Sequence, residues 1–175
     1  NADENLKLSD TDMETLKVFQ ESIDAENSEV IDSGHRYRTR LIVRRPQVAQ
    51  FNGIVIVEWI NVTCGPDKDI DWWLSGAHFI RNGYAYIAVS AQQMGIDTMK
   101  EWSPERYSSL DTTHDGMVSR DGLSYDIFSA VGKAINRVGE SIPSGKIDIL
   151  DGLKAEIIIA TGHSQSPSRL ATYLN

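Results

Sequence analysis

Residues 157–166 read IIIATGHSQS, and this stretch decides the fold because it joins an apolar run to a serine-containing turn. An apolar run of this length is typical of a strand covered on both faces. In the turn, Ser164 stands between Gly162 and Ser166, and small residues suit those positions because the two chain arms nearly touch around a strained serine. A helix is predicted from Pro167 onward, since the missing N–H of proline is not required in a first turn.

A serine between a strand and a helix has the geometry of a nucleophile elbow, in which Oγ projects from the carboxyl edge of the sheet. The helix aims its N-terminal N–H groups and its positive dipole end at the reacting centre. We therefore predict Ser164 as a catalytic nucleophile and the backbone amide of Gln165 as an oxyanion donor. The usual motif has glycine at the position of Ser166, so a structural turn or a serine-rich cap is the alternative.

A second oxyanion amide is expected from the loop that follows the neighbouring central strand. The continuously apolar stretch 53–60 predicts that strand, and the loop after it is 61–65. We predict the backbone N–H of Val62 as the donor and Asn61 as a substrate contact. The alternative is that Asn61 and Gly65 merely form a turn.

Strands and helices alternate along most of the chain, which favours a mostly parallel, doubly wound α/β sheet. Helical spacing and apolar runs predict helices at 69–81 and 127–138 and strands at 84–90 and 154–161. One or two antiparallel edge strands, an N-terminal hairpin, are predicted within 28–43. A short helix near 11–19 belongs to a peripheral segment, so we predict domain limits of 1–27 and 28–175.

The polar stretch from residue 91 to residue 121 shows no convincing periodicity, which is typical of a functional loop. Its first residues follow a strand at the carboxyl edge, where open α/β sheets bind their ligands. We therefore predict Gln93 and Met94 as substrate contacts, with Tyr107 as a weaker third.

Several segments in collinear order resemble one known family. They are 162–173 (GHSQSPSRLATY), 57–63 (VEWINVT), 38–46 (RTRLIVRRP), 83–86 (GYAY), 89–92 (VSAQ), 104–107 (PERY) and 124–128 (SYDIF). They are similar to α/β-hydrolase-domain proteins whose elbow reads Gly-x-Ser-Gln-Ser before an Arg-Leu-Ala-Thr-Tyr helix start. The resemblance implies an α/β-hydrolase-type fold, incomplete in this chain, and an esterase-like hydrolase with a Ser, acid and His triad.

The acid and the histidine of such a triad are expected after the elbow helix. Between Ser164 and Asn175 the sequence has no Asp, Glu or His. We therefore expect a companion polypeptide, or a C-terminal half beyond this chain, to supply both groups. Among the upstream histidines only His114 lies in the polar stretch expected to border the site, and a base must come within hydrogen-bond reach of Oγ. Since loop histidines are mostly solvated, we do not assign it a catalytic role.

Composition restricts the partners. With 41% hydrophobic and 24% charged residues the chain has the composition of a soluble domain, and its formal charge of −8 argues against nucleic acid or an anionic membrane. Apolar runs are too short for a membrane span, which needs about 20 residues. The lone Cys64 has no Cys or His beside it at the spacing of metal ligands, so no metal is predicted. We expect it to be a buried or unreactive thiol. No G-x-G-x-x-G or P-loop occurs, which makes a dinucleotide-binding fold a weak alternative and leaves no cofactor predicted.

The sequence thus predicts a serine hydrolase that forms an acyl-enzyme on Ser164 with a small-molecule ester. The alternative is a noncatalytic relative that uses the same cleft for binding, or a structural subunit. The chain begins with Asn1 and shows no signal peptide, so its localisation is left open.

Overall fold

The structure is a computed structural model that describes residues 32–136 and 148–174. Of the described residues, those between Gly34 and Tyr173 belong to one compact unit, which contains the site. The helix predicted near 11–19 and the domain limit predicted at residue 27 lie outside the described residues.

Four strands form one mixed sheet in the order β1-β3-β2-β4. They are β1 (Leu41–Arg44), β2 (Ile54–Trp59), β3 (Ala85–Val89) and β4 (Ile157–Gly162). Strand β2 pairs in parallel with both β3 and β4, whereas β1 pairs antiparallel with β3. The mostly parallel sheet with an antiparallel edge strand is confirmed. Of the region predicted as a hairpin, the structure describes one strand, whose partner is β3, while residues 28–31 lie outside the described part.

Five α-helices and one short 3-10 helix (Val48–Gln50) accompany the sheet in the described residues. The α-helices are α1 (Ile70–Arg81), α2 (Gln93–Trp102), α3 (Pro104–Tyr107), α4 (Ser124–Ile135) and α5 (Gln165–Leu174). None of these helices has the length and apolar character that crossing a bilayer requires.

The sheet is covered on both faces, as a doubly wound fold requires. Alternate residues of the central strand, Val55, Val57 and Trp59, face one core that also contains Phe128 of α4 and Leu170 of α5. On the other face, Ile56 of β2 and Ile60 just after it belong to a second core, against which Trp72 and Phe79 of α1 pack. Strand β2 is therefore buried on both sides, in agreement with its continuously apolar sequence.

The prediction of a structureless stretch between residues 91 and 121 was wrong, since helices α2 and α3 lie within it. Gly95, Ile96 and Met99 are the buried positions of α2, and a glycine on the inner face weakens the apolar pattern. The first N–H of the helix, on Gln93, donates to Oδ1 of Asp121 at 2.8 Å. This helix is capped by a residue distant in sequence, so its own first turn carries little local signal.

One carboxylate lies inside the second core. Glu58 of β2 has 0% of its surface exposed, and its two oxygens accept from the hydroxyl of Tyr86 and from the backbone N–H of Asp71. Asp71 in turn accepts from Oγ1 of Thr161 in β4 at 2.7 Å. Burial raises the pKa of Glu58, because a charged carboxylate is poorly solvated there. These hydrogen bonds connect β2 to α1, and α1 to the carboxyl end of β4.

The raised pKa of Glu58 makes stability depend on pH. Below the ordinary value of about 4.5 the carboxyl is neutral in both folded and unfolded chains. As the pH rises from there through the folded-state pKa, the unfolded chain loses its proton first, so the free energy of unfolding falls. In E58Q, whose amide can still accept from Asp71 and donate to the Tyr86 oxygen, this loss should disappear.

Urea unfolding of wild type and E58Q at pH 4.5 and pH 8 measures this effect. From pH 4.5 to pH 8, we expect the free energy of unfolding of E58Q to rise relative to that of wild type. The matched control is E101Q, because Glu101 is exposed on α2 and solvated in both states. Parallel pH curves for wild type and E58Q would show that burial of Glu58 has no such consequence.

Candidate active site

Ser164 lies at the junction that the sequence predicts as an elbow. Strand β4 ends at Gly162 and helix α5 begins at Gln165, two residues before the predicted start. Ser164 has a φ of 58°, in the left-handed region that residues other than glycine rarely occupy, and its side chain is exposed. A strained residue at a strand end, open to solvent, is the arrangement that an elbow nucleophile needs.

Close packing at the elbow explains the glycine two residues before the serine. A Cβ atom at Gly162 would lie 2.6 Å from Cβ of Ser166, closer than carbon atoms approach. Ser166 is completely buried, and its Oγ has no hydrogen-bond partner among the described residues. The serine that replaces the usual glycine therefore fits only because position 162 has no side chain.

The loop after β2 is folded back on itself. Asn61 and Lys68 exchange two backbone hydrogen bonds of 3.2 and 2.8 Å, and Gly65 N–H donates to the Val62 carbonyl at 2.9 Å. Cys64 has a φ of 69° and is exposed, so of the two predicted alternatives a buried thiol is wrong, while an unreactive thiol stays a prediction. These three backbone hydrogen bonds fix the conformation of the loop directly after the end of β2.

The side chain of Asn61 joins this loop to the elbow. Its Nδ2 donates to the His163 carbonyl at 2.9 Å, and its Oδ1 accepts from Thr63 N–H at 2.9 Å. Asn61 is only 1% exposed, so the structure gives it internal partners instead of the substrate contact predicted from the sequence.

The two predicted oxyanion donors have free amides. Among the described residues, neither Val62 N–H nor Gln165 N–H donates to a backbone or side-chain acceptor. Val62 is 3% exposed, and a buried N–H without a partner is uncommon in folded proteins. Both amides lie at the carboxyl edge of the sheet, Val62 just after β2 and Gln165 just after β4. The side chain of Asn61 forms hydrogen bonds to both of these segments.

A second polar connection at this edge was missed by the sequence reasoning. Trp59 Nε1 donates to Gln92 Oε1 at 3.2 Å, and Gln92 Nε2 donates to Asp121 at 3.3 Å. Arg169 of α5 forms an ion pair with Asp121 at 3.0 Å. The signal available was that Gln92 and Arg169 both fall in segments with the family resemblance, whereas Asp121 lies at the end of the polar stretch and outside every such segment.

The predicted substrate contacts separate into two groups. Gln93 and Met94 line a cleft of about 460 Å³ whose other walls are Asp97, Thr98, Glu101, Arg120 and Asp121. Tyr107 is 8% exposed and packs in a small apolar cluster with Ile96, Met99 and Leu110. The structure therefore brings Gln93 and Met94 to an open cleft, whereas Tyr107 is not among the residues that line it.

The upstream histidine considered as a base has a different partner. Nδ1 of His114 lies 2.9 Å from Nδ1 of His35, in a part-buried pair. Within the parts of the chain that are described, His, Cys, Asp and Glu side chains do not gather in groups of three or more that could hold a metal ion.

The chain was compared with known proteins. The model of the alpha/beta hydrolase domain family matches residues 15–175. Searches of the curated proteins and of the solved structures gave no match. The matched region contains every strand and helix described above, including the strand, turn and helix around Ser164. Because the match covers most of its length, the chain belongs to the alpha/beta hydrolase domain family.

Proposed function

We propose that this protein is a serine hydrolase that cleaves carboxylic esters through an acyl-enzyme on Ser164. The observation that carries the proposal is the left-handed backbone of this exposed serine, φ 58°, between the end of β4 and the start of α5. The fold holds a nucleophile-bearing residue in a costly conformation at the edge where open α/β sheets bind ligands. Six other non-glycine residues of the described chain also have positive φ, but among them all only Ser164 stands in a two-residue connection from a strand to a helix.

The proposed reaction has two steps. Ser164 Oγ attacks the acyl carbonyl carbon as its proton passes to a histidine base, and the carbonyl oxygen becomes an oxyanion. Val62 N–H and Gln165 N–H donate to that oxyanion. Its collapse breaks the ester C–O bond, and the alcohol leaves with the proton from the histidine. Water then attacks the acyl-enzyme by the same route and releases the acid.

The histidine and its acid partner are proposed to come from outside residues 1–175, from a companion polypeptide or a further part of the protein. The substrate is a small-molecule ester, and the cleft beside Gln93 and Met94 is proposed to hold part of it. This chemistry calls for no cofactor, because acyl transfer needs a nucleophile, a base and oxyanion donors only.

Labelling with a fluorophosphonate tests the proposal. The reagent reacts with serines activated as nucleophiles, so the native protein, with any polypeptide that accompanies it, should be labelled within minutes. Peptide mass spectrometry should place the adduct on Ser164. Labelling on another serine, or no labelling above that of heat-denatured protein, would overturn the proposal and favour a noncatalytic binding role.

The class of substrate is tested on the same material. Rates with matched pairs of esters and amides that share one acyl group should be higher for the ester. Faster cleavage of the amide would retain the serine hydrolase but replace its substrate class.

A further inference from the structure

The two proposed oxyanion amides lie in segments far apart in the sequence, and one buried side chain bonds to both segments. Asn61 accepts from Thr63 N–H in the loop after β2 and donates to the His163 carbonyl 102 positions away. We propose that Asn61 is the positioning residue of the oxyanion hole, which fixes the Val62 amide on one side and the Gln165 amide on the other. The inference rests on the proposed role of Ser164.

On the loop side, Asn61 occupies the amides on both sides of Val62. Its own N–H donates to the Lys68 carbonyl at 3.2 Å, and its Oδ1 takes the Thr63 N–H at 2.9 Å. Between them, Val62 N–H has no acceptor in the part of the chain that the structure describes. A turn built this way leaves one buried donor unused, and an anionic oxygen from a ligand would satisfy it.

On the elbow side, Asn61 holds the peptide that leads into the nucleophile. The His163 carbonyl accepts from Asn61 Nδ2 at 2.9 Å and from Ser166 N–H at 3.2 Å. Because the peptide unit is planar, fixing this carbonyl also fixes the direction of the Ser164 N–H bond. It therefore restricts the backbone of Ser164, whose next peptide carries the Gln165 donor.

The position requires one group that accepts and another that donates at the same time. A backbone carbonyl only accepts and a backbone N–H only donates, so the orientation of the Asn61 amide follows from its two partners. Aspartate would place an oxygen against the His163 carbonyl oxygen. Serine can still accept from Thr63 N–H in a local turn but is too short to bridge to the elbow. Only the uncharged amide of this length makes both bonds.

Steady-state kinetics of N61S and N61D test the inference. A displaced oxyanion donor weakens the transition state and leaves substrate binding intact, so kcat should fall by about 10²-fold while KM stays within about threefold. Affinity for a boronic acid, which forms a tetrahedral anionic adduct on serine, should fall in parallel with kcat/KM. A purely structural role would lower the folded fraction, which also lowers apparent kcat at unchanged KM, but it would leave the affinity of the folded enzyme for the boronic acid at the wild-type value. The affinity for the boronic acid is therefore the readout that separates the two roles.

The chain offers a matched control at the opposite end of β2. Asn52 Oδ1 accepts from Ile54 N–H at 2.9 Å, and its Nδ2 donates to the Asn82 carbonyl at 2.7 Å. N52S removes the same kind of bridge away from the carboxyl edge, so its kcat should equal that of wild type. If N61S keeps kcat within about threefold of N52S while wild type labels on Ser164, the inference alone is overturned. If wild type does not label, the proposed function fails and the inference fails with it.

Discussion

Replacing Ser164 with alanine or with glycine should abolish fluorophosphonate labelling and lower ester hydrolysis on the order of 10⁶-fold. Both variants remove Oγ, and the side chain is exposed, so neither change opens a cavity in the core. The two should differ in stability. Glycine adopts positive φ freely, whereas alanine does not, so S164G should be more stable than S164A by about 1 kcal/mol.

Hydrolysis rates and urea unfolding of wild type, S164A and S164G supply both readouts. A residual rate in S164A close to that of wild type would assign the nucleophile elsewhere. Equal stability of the two variants would show that the φ of 58° is not strained in the folded protein. The expected pattern, loss of activity with a gain in stability for glycine, means that this strain is retained for the hydroxyl alone.

Replacing Gly162 with alanine should lower kcat/KM by about 10²-fold, because a shift of about 1 Å in a reacting group has that effect. The new Cβ would lie 2.6 Å from Cβ of Ser166, so β4 or α5 must move around Ser164. Overpacking of this kind also destabilises a fold by roughly 1–3 kcal/mol. Gly162 is not among the residues with positive φ, so alanine fails there for lack of space and not for backbone strain.

A second substitution separates the steric cause from a general disturbance. In G162A/S166G the clashing Cβ is gone, and activity should return toward that of S166G alone. In G162A/S166A the Cβ remains and only the unpartnered hydroxyl is lost, so activity should stay low. The coupling is read from kcat/KM of the two double variants and their parents. Equal rates in the two double variants would show that contact with Ser166 is not what makes Gly162 necessary.

The elements that sequence predicts well are those with local patterns. The apolar run of β2, the helical spacing of α1 and the small residues around Ser164 lie within short windows, and the sheet is built from them. Helix α2 was missed because its cap, Asp121, is 28 positions from Gln93. A cap supplied from that distance leaves no signature in the first turn of the helix.

The site follows the same division. Ser164 and Gln165 are adjacent residues within the elbow motif, so they can be identified from the sequence of that motif alone. The hydrogen bond from Asn61 to His163 joins residues 102 positions apart, so no local sequence pattern contains both of them. Tyr107 was chosen for its place in a polar stretch, but its ring fills an apolar cluster that forms only when α2 and α3 pack together. Side-chain roles set by tertiary contacts need the fold to be known first.

Strand β4 also has a neighbour on one side only in the described part of the sheet, where it is the last strand in the order. Its sequence, IIIATG, contains neither a charged residue nor a proline, which are two of the devices by which proteins discourage strand addition. An uncovered edge of this composition is a template for aggregation. The strand that leads into the proposed nucleophile is therefore also the segment that must stay covered if preparations of this protein are to remain monodisperse.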